Sequence, residues 1–162
     1  PENRLIAASE SISHRGPDGY GSYAHYHSLG KNINLLHRRL AIIDLDNRSN
    51  QPLKLSNHAL IFNGEIYNYL EIKYQLEKFG HKFITNGDTE VLARSLLHWG
   101  LDALDKLEGM WSFAWYNELN GRLLPWKKVS KKKVIARVEQ TCFYRGYPRM
   151  QKILAHMIPE SK

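Results

Sequence analysis

The sequence contains a single cysteine, Cys142. One cysteine excludes an internal disulfide framework and a zinc site built on thiolates, and it points to a reducing, cytosolic setting. Cys142 has no partnered histidine in its segment and is expected to be inert. Long apolar runs are also missing: no window approaches the roughly 18 apolar residues of a membrane span. The first residues lack a basic patch followed by an apolar stretch, so no signal peptide is expected. A cytoplasmic protein without a membrane partner is the resulting expectation. The eight histidines show no metal-ligand spacing, so no metal site is expected. His25 and His27 alternate on one face of a strand and are expected at the surface.

What is present is ordinary for a globular chain. At 162 residues, with 43% hydrophobic and 24% charged content, one domain with a real core is expected. A net charge of +7 invites a nucleic-acid reading, but its distribution argues against one. Residues 1–124 carry 13 Lys/Arg and 14 Asp/Glu, net −1, whereas residues 125–162 carry 10 and 2, net +8. The basicity is confined to a tail with a Lys run and poor periodicity, which reads as a solvated end. A basic arm for phosphates is the competing reading of that tail, and nucleic acid is not expected as the main partner. "RMQKILAHMI" within the tail fits a short amphipathic helix.

Along the first 124 residues, "ENRLIAASESIS" reads as a helix and "HRGPDGYG" as a loop by its Gly and Pro content. "INLLHRRLAIIDL" reads as two short strands or one bent one, Ile33–His37 and Leu40–Leu45. "HALIFN" is a short buried strand. From Tyr67 the period becomes helical, with Leu70, Tyr74, Leu76 and Phe79 on one face and Gly80 closing it. This excludes a hairpin turn at Asn63-Gly64. A second helix runs from Asp88 as N-cap, with Val91, Leu92, Ser95, Leu96 and Trp99 on one face, to Gly100. "GMWSFAWYNELNGRLL" is a hairpin. Helices grouped between runs of strands indicate an α+β layered fold.

Four polar clusters interrupt these apolar patterns at element ends: His14 to Asp18, Arg38-Arg39, Asn63-Gly64-Glu65 and Asp88-Thr89-Glu90. Together they offer a guanidinium, amide donors, a glycine N–H and carboxylates. That set suits a zwitterionic amino acid. Surface arginines, a plain turn and a helix cap are the bland readings of the same residues.

The motifs "SHRGPDGYG", "HRRLAIIDL", "NQP", "IFNGEIYNY", "GDTEV" and "LEGMWSFAWY" stand in the order found in the glutaminase domain of asparagine synthetases. Over about residues 3–124 the chain resembles these class II glutamine amidotransferases of the N-terminal-nucleophile hydrolase fold. The resemblance implies a four-layer αββα sandwich with two antiparallel sheets between helices. It implies that Arg39 binds the glutamine α-carboxylate, that Asp88 holds the ammonium and that Glu65 lines the pocket. Asn63, through its side-chain amide, and Gly64, through its N–H, would form an oxyanion hole. One such donor contributes ~2.7–4 kcal/mol to a transition state. His14 to Asp18 would be architectural.

The family's nucleophile is a cysteine at the mature N-terminus, with its own amine as base. Ammonia passes to a synthetase domain that activates aspartate with ATP and Mg. This chain begins "PENRLIAASE", already at the first helix, so the nucleophile and the first strand are expected to be missing and the sandwich incomplete. Hydrolysis of glutamine by this chain is therefore not expected. After "NELNGRLL" the family's wording gives way to "PWKKVSKKK", and no ATP-binding loop follows. Residues 125–162 are expected to be a separate basic tail, frameshifted or disordered, and no cofactor is expected in this chain. The expected partners are L-glutamine and, in full-length relatives, the synthetase domain. A non-catalytic pseudo-glutaminase binding module, as in β-lactam synthetases, is the alternative function.

Overall fold

The computed structural model describes residues 2–28 and 30–128. Cys142, the amphipathic stretch and the rest of the basic tail lie outside the described residues. The elements in order are α1 (Glu2–Ser11), β1 (Gly19–His27), β2 (Lys31–Arg39), β3 (Leu53–Leu55), β4 (His58–Ile66), α2 (Tyr69–Lys78), α3 (Asp88–Trp99), α4 (Ala103–Lys106), β5 (Gly109–Asn117) and β6 (Arg122–Lys128).

Two antiparallel sheets form, one of β1-β2 and one in the order β3-β4-β5-β6. The larger apolar cluster lies between the four-stranded sheet and α2, α3 and α4, around Leu60, Phe62, Leu76, Leu92 and Trp111. A smaller one, with Ile33, Leu35, Ala59, Ile61, Ala114 and Tyr116, joins the two sheets. Helix α1 lies on β2. Its Ser9 hydroxyl accepts from Arg38 Nε at 2.8 Å. The layers are therefore helix, sheet, sheet and helix, the α+β arrangement expected.

Strand alternation decides where the polar residues point. In β4, Ala59 and Ile61 face the other sheet while Leu60 and Phe62 face the helices. Asn63 and Glu65 continue the Ala59–Ile61 side. In β2, Ile33 and Leu35 face inward, and the same parity carries His37 and Arg39. Arg38 has the opposite parity and turns out to α1 and the Tyr20 ring, 4.9 Å away. Adjacent arginines thus have separate fates, and Arg39 is only 8% exposed.

Several expectations are corrected. Residues Leu40–Leu45 form no strand; β2 ends at Arg39, because the carbonyls of that segment turn inward to serve the Arg39 guanidinium. Gly19 to Gly21 belong to β1, paired with His37 to Arg39. Strand β4 continues through Asn63, Gly64 and Glu65 to Ile66, paired with β5. Helix α2 buries Ile72 and Leu76 and exposes Leu70, Tyr74 and Phe79, so the helix stands but its apolar face is rotated. The N-cap of α3 is Gly87, and Asp88 is the first helical residue. His25 and His27 lie on the half-buried side of β1, where His25 Nδ1 is 2.8 Å from Tyr116 Oη. The expected boundary at Leu124 falls inside β6, where Pro125 pairs with Ala114. A proline is tolerated there because β6 is an edge strand.

Candidate functional site

A cavity of about 430 Å³ opens where the ends of β2 and β4 meet the start of α3. Arg39, Asn63, Gly64, Glu65 and Asp88 all line it, together with Arg15 and Arg38 from the other polar clusters. Four segments far apart in sequence therefore converge on one space. Of the fourth cluster, Asp88 and Thr89 face the cavity, but Glu90 does not. Glu90 turns to the Ile84–Thr85 segment and pairs with Arg94, one turn along α3. His14 and Asp18 stay off the cavity wall; Asp18 accepts the Ala41 amide at 2.9 Å.

Arg39 is held by oxygens of the following loop. Its Nη1 donates to the Asp46 carbonyl at 3.2 Å and to Asn50 Oδ1 at 3.3 Å. Its Nη2 donates to the carbonyls of Ile43, at 3.3 Å, and Asp44. Each of these partners is a neutral oxygen. The positive charge is therefore oriented but not neutralised by them, which suits reception of an anion.

Asp88 supplies the opposite charge and is 6% exposed. One carboxylate oxygen accepts the Ile66 amide at 3.0 Å, which ties α3 to the end of β4. Burial raises the carboxyl to about 6, the Ile66, Asp88 and Thr89 amides pull it back, and the Glu65 charge adds to the rise. A buried carboxylate that ionises with this reluctance gains most from an incoming cation. Helix position works against the burial, since the first turn of α3 favours negative charge.

The sequence reading passed over His37, Gln51 and Asp44. His37 Nε2 lies 3.0 Å from the Phe62 carbonyl, so that nitrogen carries the proton and donates. Burial lowers this imidazole to about 4, against the Phe62 bond and with help from Arg39. Gln51 reaches both neighbouring elements: its Oε1 accepts the Phe62 amide at 2.5 Å and its Nε2 donates to Thr89 Oγ1 at 3.3 Å. The inward parity of β2 was the signal for His37. For Gln51 the signals were a polar residue before a proline in a loop and its place in the "NQP" motif.

The comparisons with known proteins agree with this architecture. A family model described as a glutamine amidotransferase domain matches residues 1–133. Asparagine synthetase (glutamine-hydrolyzing) 1 of Bacillus subtilis is 43% identical over 119 residues, covering 72% of this chain and 18% of that protein. Asparagine synthetase (glutamine-hydrolyzing) 3 of the same organism is 31% identical over 153 residues, covering 91% of this chain and 24% of that protein. A maize (Zea mays) enzyme of the same description is 39% identical over 113 residues, covering 68% and 18%. The chain thus spans about a quarter or less of the length of these relatives. Among solved structures, glutamine phosphoribosylpyrophosphate amidotransferase from B. subtilis complexed with ADP and GMP superposes with a TM-score of 0.60. It is 24% identical and the match covers 74% of this chain and 33% of that one, a likeness of fold.

Proposed function

This chain belongs to the glutamine amidotransferase domain family, in its asparagine-synthetase-like branch, and we propose that its cavity receives L-glutamine. The observation that carries the reading is the placement of a buried guanidinium, Arg39, and a buried carboxylate, Asp88, on the wall of one cavity of amino-acid size. Arg39 takes the α-carboxylate. Asp88, with Glu65 beside it, takes the α-ammonium. The glutamine side chain then extends along β4, with its carboxamide oxygen toward the Asn63 amide and the Gly64 N–H. Those two donors are the groups that would stabilise a tetrahedral oxyanion if the amide were attacked.

In the full reading such a domain releases ammonia, which a synthetase domain uses with ATP and Mg to amidate aspartate or a related acceptor. The second reading is a glutamine-binding module that does not turn the ligand over, and it needs no more than the charged pair, Arg39 and Asp88, on the cavity wall. Both readings require the same pocket.

Binding is therefore the direct test. Calorimetric titration of the 162-residue chain with L-glutamine is expected to show one site. Asp88→Asn and Arg39→Lys are each expected to weaken it at least tenfold, because a neutral amide attracts no ammonium and lysine cannot reproduce the fork. Unchanged affinity in both variants, or no binding by the wild-type chain, would overturn the proposal. Ammonia release, measured alongside, separates the two readings.

A further inference from the structure

Asp44 stands outside the family roles assigned above. It occupies the loop between β2 and β3 with φ of +57°, the left-handed region that Asp tolerates better than most residues. Its backbone and its side chain serve different parts of the site. The backbone carbonyl accepts from Arg39 Nη2. One carboxylate oxygen accepts the Ser49 hydroxyl at 2.7 Å and the Asn86 amide at 2.8 Å. The other accepts the Asp46 amide at 3.1 Å.

Asn86 lies two residues before Asp88, and Ser49 lies in the loop whose Asp46 carbonyl and Asn50 side chain hold Arg39. Asp44 therefore joins, through one residue, the anchor of the cavity's cation to the segment that delivers its anion. Packing supports the link: a Cβ built on Gly87 would stand 3.7 Å from both Asp44 Cβ and Ser49 Oγ. Charge-assisted bonds of this kind are about twice as strong as neutral ones. The carboxyl is kept below its usual range, chiefly by the Ser49 hydroxyl, and so stays ionised at neutral pH.

We propose that Asp44 is a positioning residue that sets the separation between the Arg39 guanidinium and the Asp88 carboxylate, and so makes the cavity selective for an α-amino acid over one with a longer spacing between its charged groups. The inference rests on the reading of the cavity as a glutamine site. It adds a determinant of specificity that touches no ligand. Tight positioning matters because displacements of about 1 Å at such a clamp cost large factors in recognition.

The test compares L-glutamine with L-β-homoglutamine, which has one extra methylene between ammonium and carboxylate. Calorimetric affinities are measured for the wild-type chain, Asp44→Asn, Asp44→Gly and Ser49→Ala, each with its melting temperature. Asp44→Gly keeps the backbone conformation accessible and removes the carboxylate; it is expected to lower the α-over-β preference at least tenfold. Asp44→Asn keeps one acceptor oxygen and is expected to fall between. Ser49→Ala carries the test if the glycine variant does not fold, with an expected three- to tenfold loss of preference. A merely structural role would weaken both ligands in step with melting temperature, and an unchanged preference would overturn the proposal. If the wild-type chain binds neither ligand, the glutamine reading fails by itself. NMR of the Arg39 guanidinium and the Asp88 carboxyl in the free protein then decides: a shift of both in Asp44→Gly sustains the positioning role, and unchanged signals refute it.

Discussion

The Asp88 carboxylate accepts the Ile66 amide proton at 3.0 Å. This bond crosses from the helical layer to the last residue of β4. It offsets part of the cost of burying a carboxylate that also lines the cavity.

Asp88 has its carboxyl raised from 3.8 to about 6, so between those values the folded state binds more protons than the unfolded one. Its contribution therefore falls as pH rises through that window. His37 is lowered from 6.5 to about 4, so its contribution rises with pH over nearly the same range. Each contribution amounts to roughly 3 kcal/mol across its whole window, and the two oppose. Urea unfolding from pH 4 to 7 is expected to show little net change from this pair in the wild type. Asp88→Asn should unmask a stability that climbs with pH, and His37→Phe one that declines. Parallel curves for all three proteins would refute the assignment.

Ligand affinity should follow Asp88 alone. An ammonium is held by the ionised carboxylate, so the affinity for L-glutamine is expected to rise about tenfold per pH unit below 6 and to level off near 7. In Asp88→Asn the profile should be flat over that range.

Gly64 is constrained by its neighbours. With φ of +139°, a Cβ there would lie 2.3 Å from the Met110 carbonyl oxygen and 2.5 Å from Trp111 Cα. Gly64→Ala is expected to cost about 2–3 kcal/mol in denaturant unfolding and to displace the end of β4. Gly80 also has a positive φ, +87°, but nothing lies within 4 Å of its would-be Cβ. Gly80→Ala should cost only about 1–2 kcal/mol, the left-handed penalty.

Glu90 is expected to be structural. Its carboxylate accepts from the Ile84 and Thr85 amides, the Thr85 hydroxyl and Arg94 Nε. Burial by itself would raise this carboxyl, but these donors together hold it below 4.5. Its stabilisation is thus fully present above 4.5 and is lost as pH falls below that value. Glu90→Ala leaves the donors and the Arg94 charge without their partner, and should cost about 3 kcal/mol. A double-mutant cycle with Arg94→Ala should show strong coupling.

Strand β6 sets where the chain can be cut. Trp126 packs against the main core, and Lys128 Nζ donates to the Leu107 carbonyl at 2.6 Å. A chain ending at Lys128 is expected to melt as a cooperative unit. One ending at Leu124 should be less stable by roughly 2–3 kcal/mol, from lost apolar burial and ladder bonds. Equal melting temperatures would place the stabilising boundary at Leu124 after all.

Much of this was legible in local pattern. The helical period after Tyr67 and the turn chemistry of "NELNG" gave α2 and the β5–β6 hairpin, because both signals are short-range. The residues that line the cavity were visible as polar interruptions at element ends. Their convergence was not, since Arg39, Asn63 and Asp88 meet only when two sheets and a helix pack. Leu40–Leu45 looked like a strand because its residues have strand propensity; the Arg39 guanidinium claimed its carbonyls instead. The rotated face of α2 has a similar cause. Ile72 and Leu76 won the core, and no rule of periodicity ranks them above Leu70 and Tyr74. Asp44 and Gln51 work through a few side-chain bonds, to Ser49 and Asn86 and to Phe62 and Thr89, which leave no periodic trace.

A two-stranded sheet is marginal by itself, and β1-β2 leans on the larger sheet through few apolar side chains. An occupant of the cavity would touch Arg39 on one sheet and Asn63 on the other, and so would act as mortar in that joint. Backbone amides of β1 and β2, far from any contact with the occupant, should then exchange with solvent more slowly when it is bound.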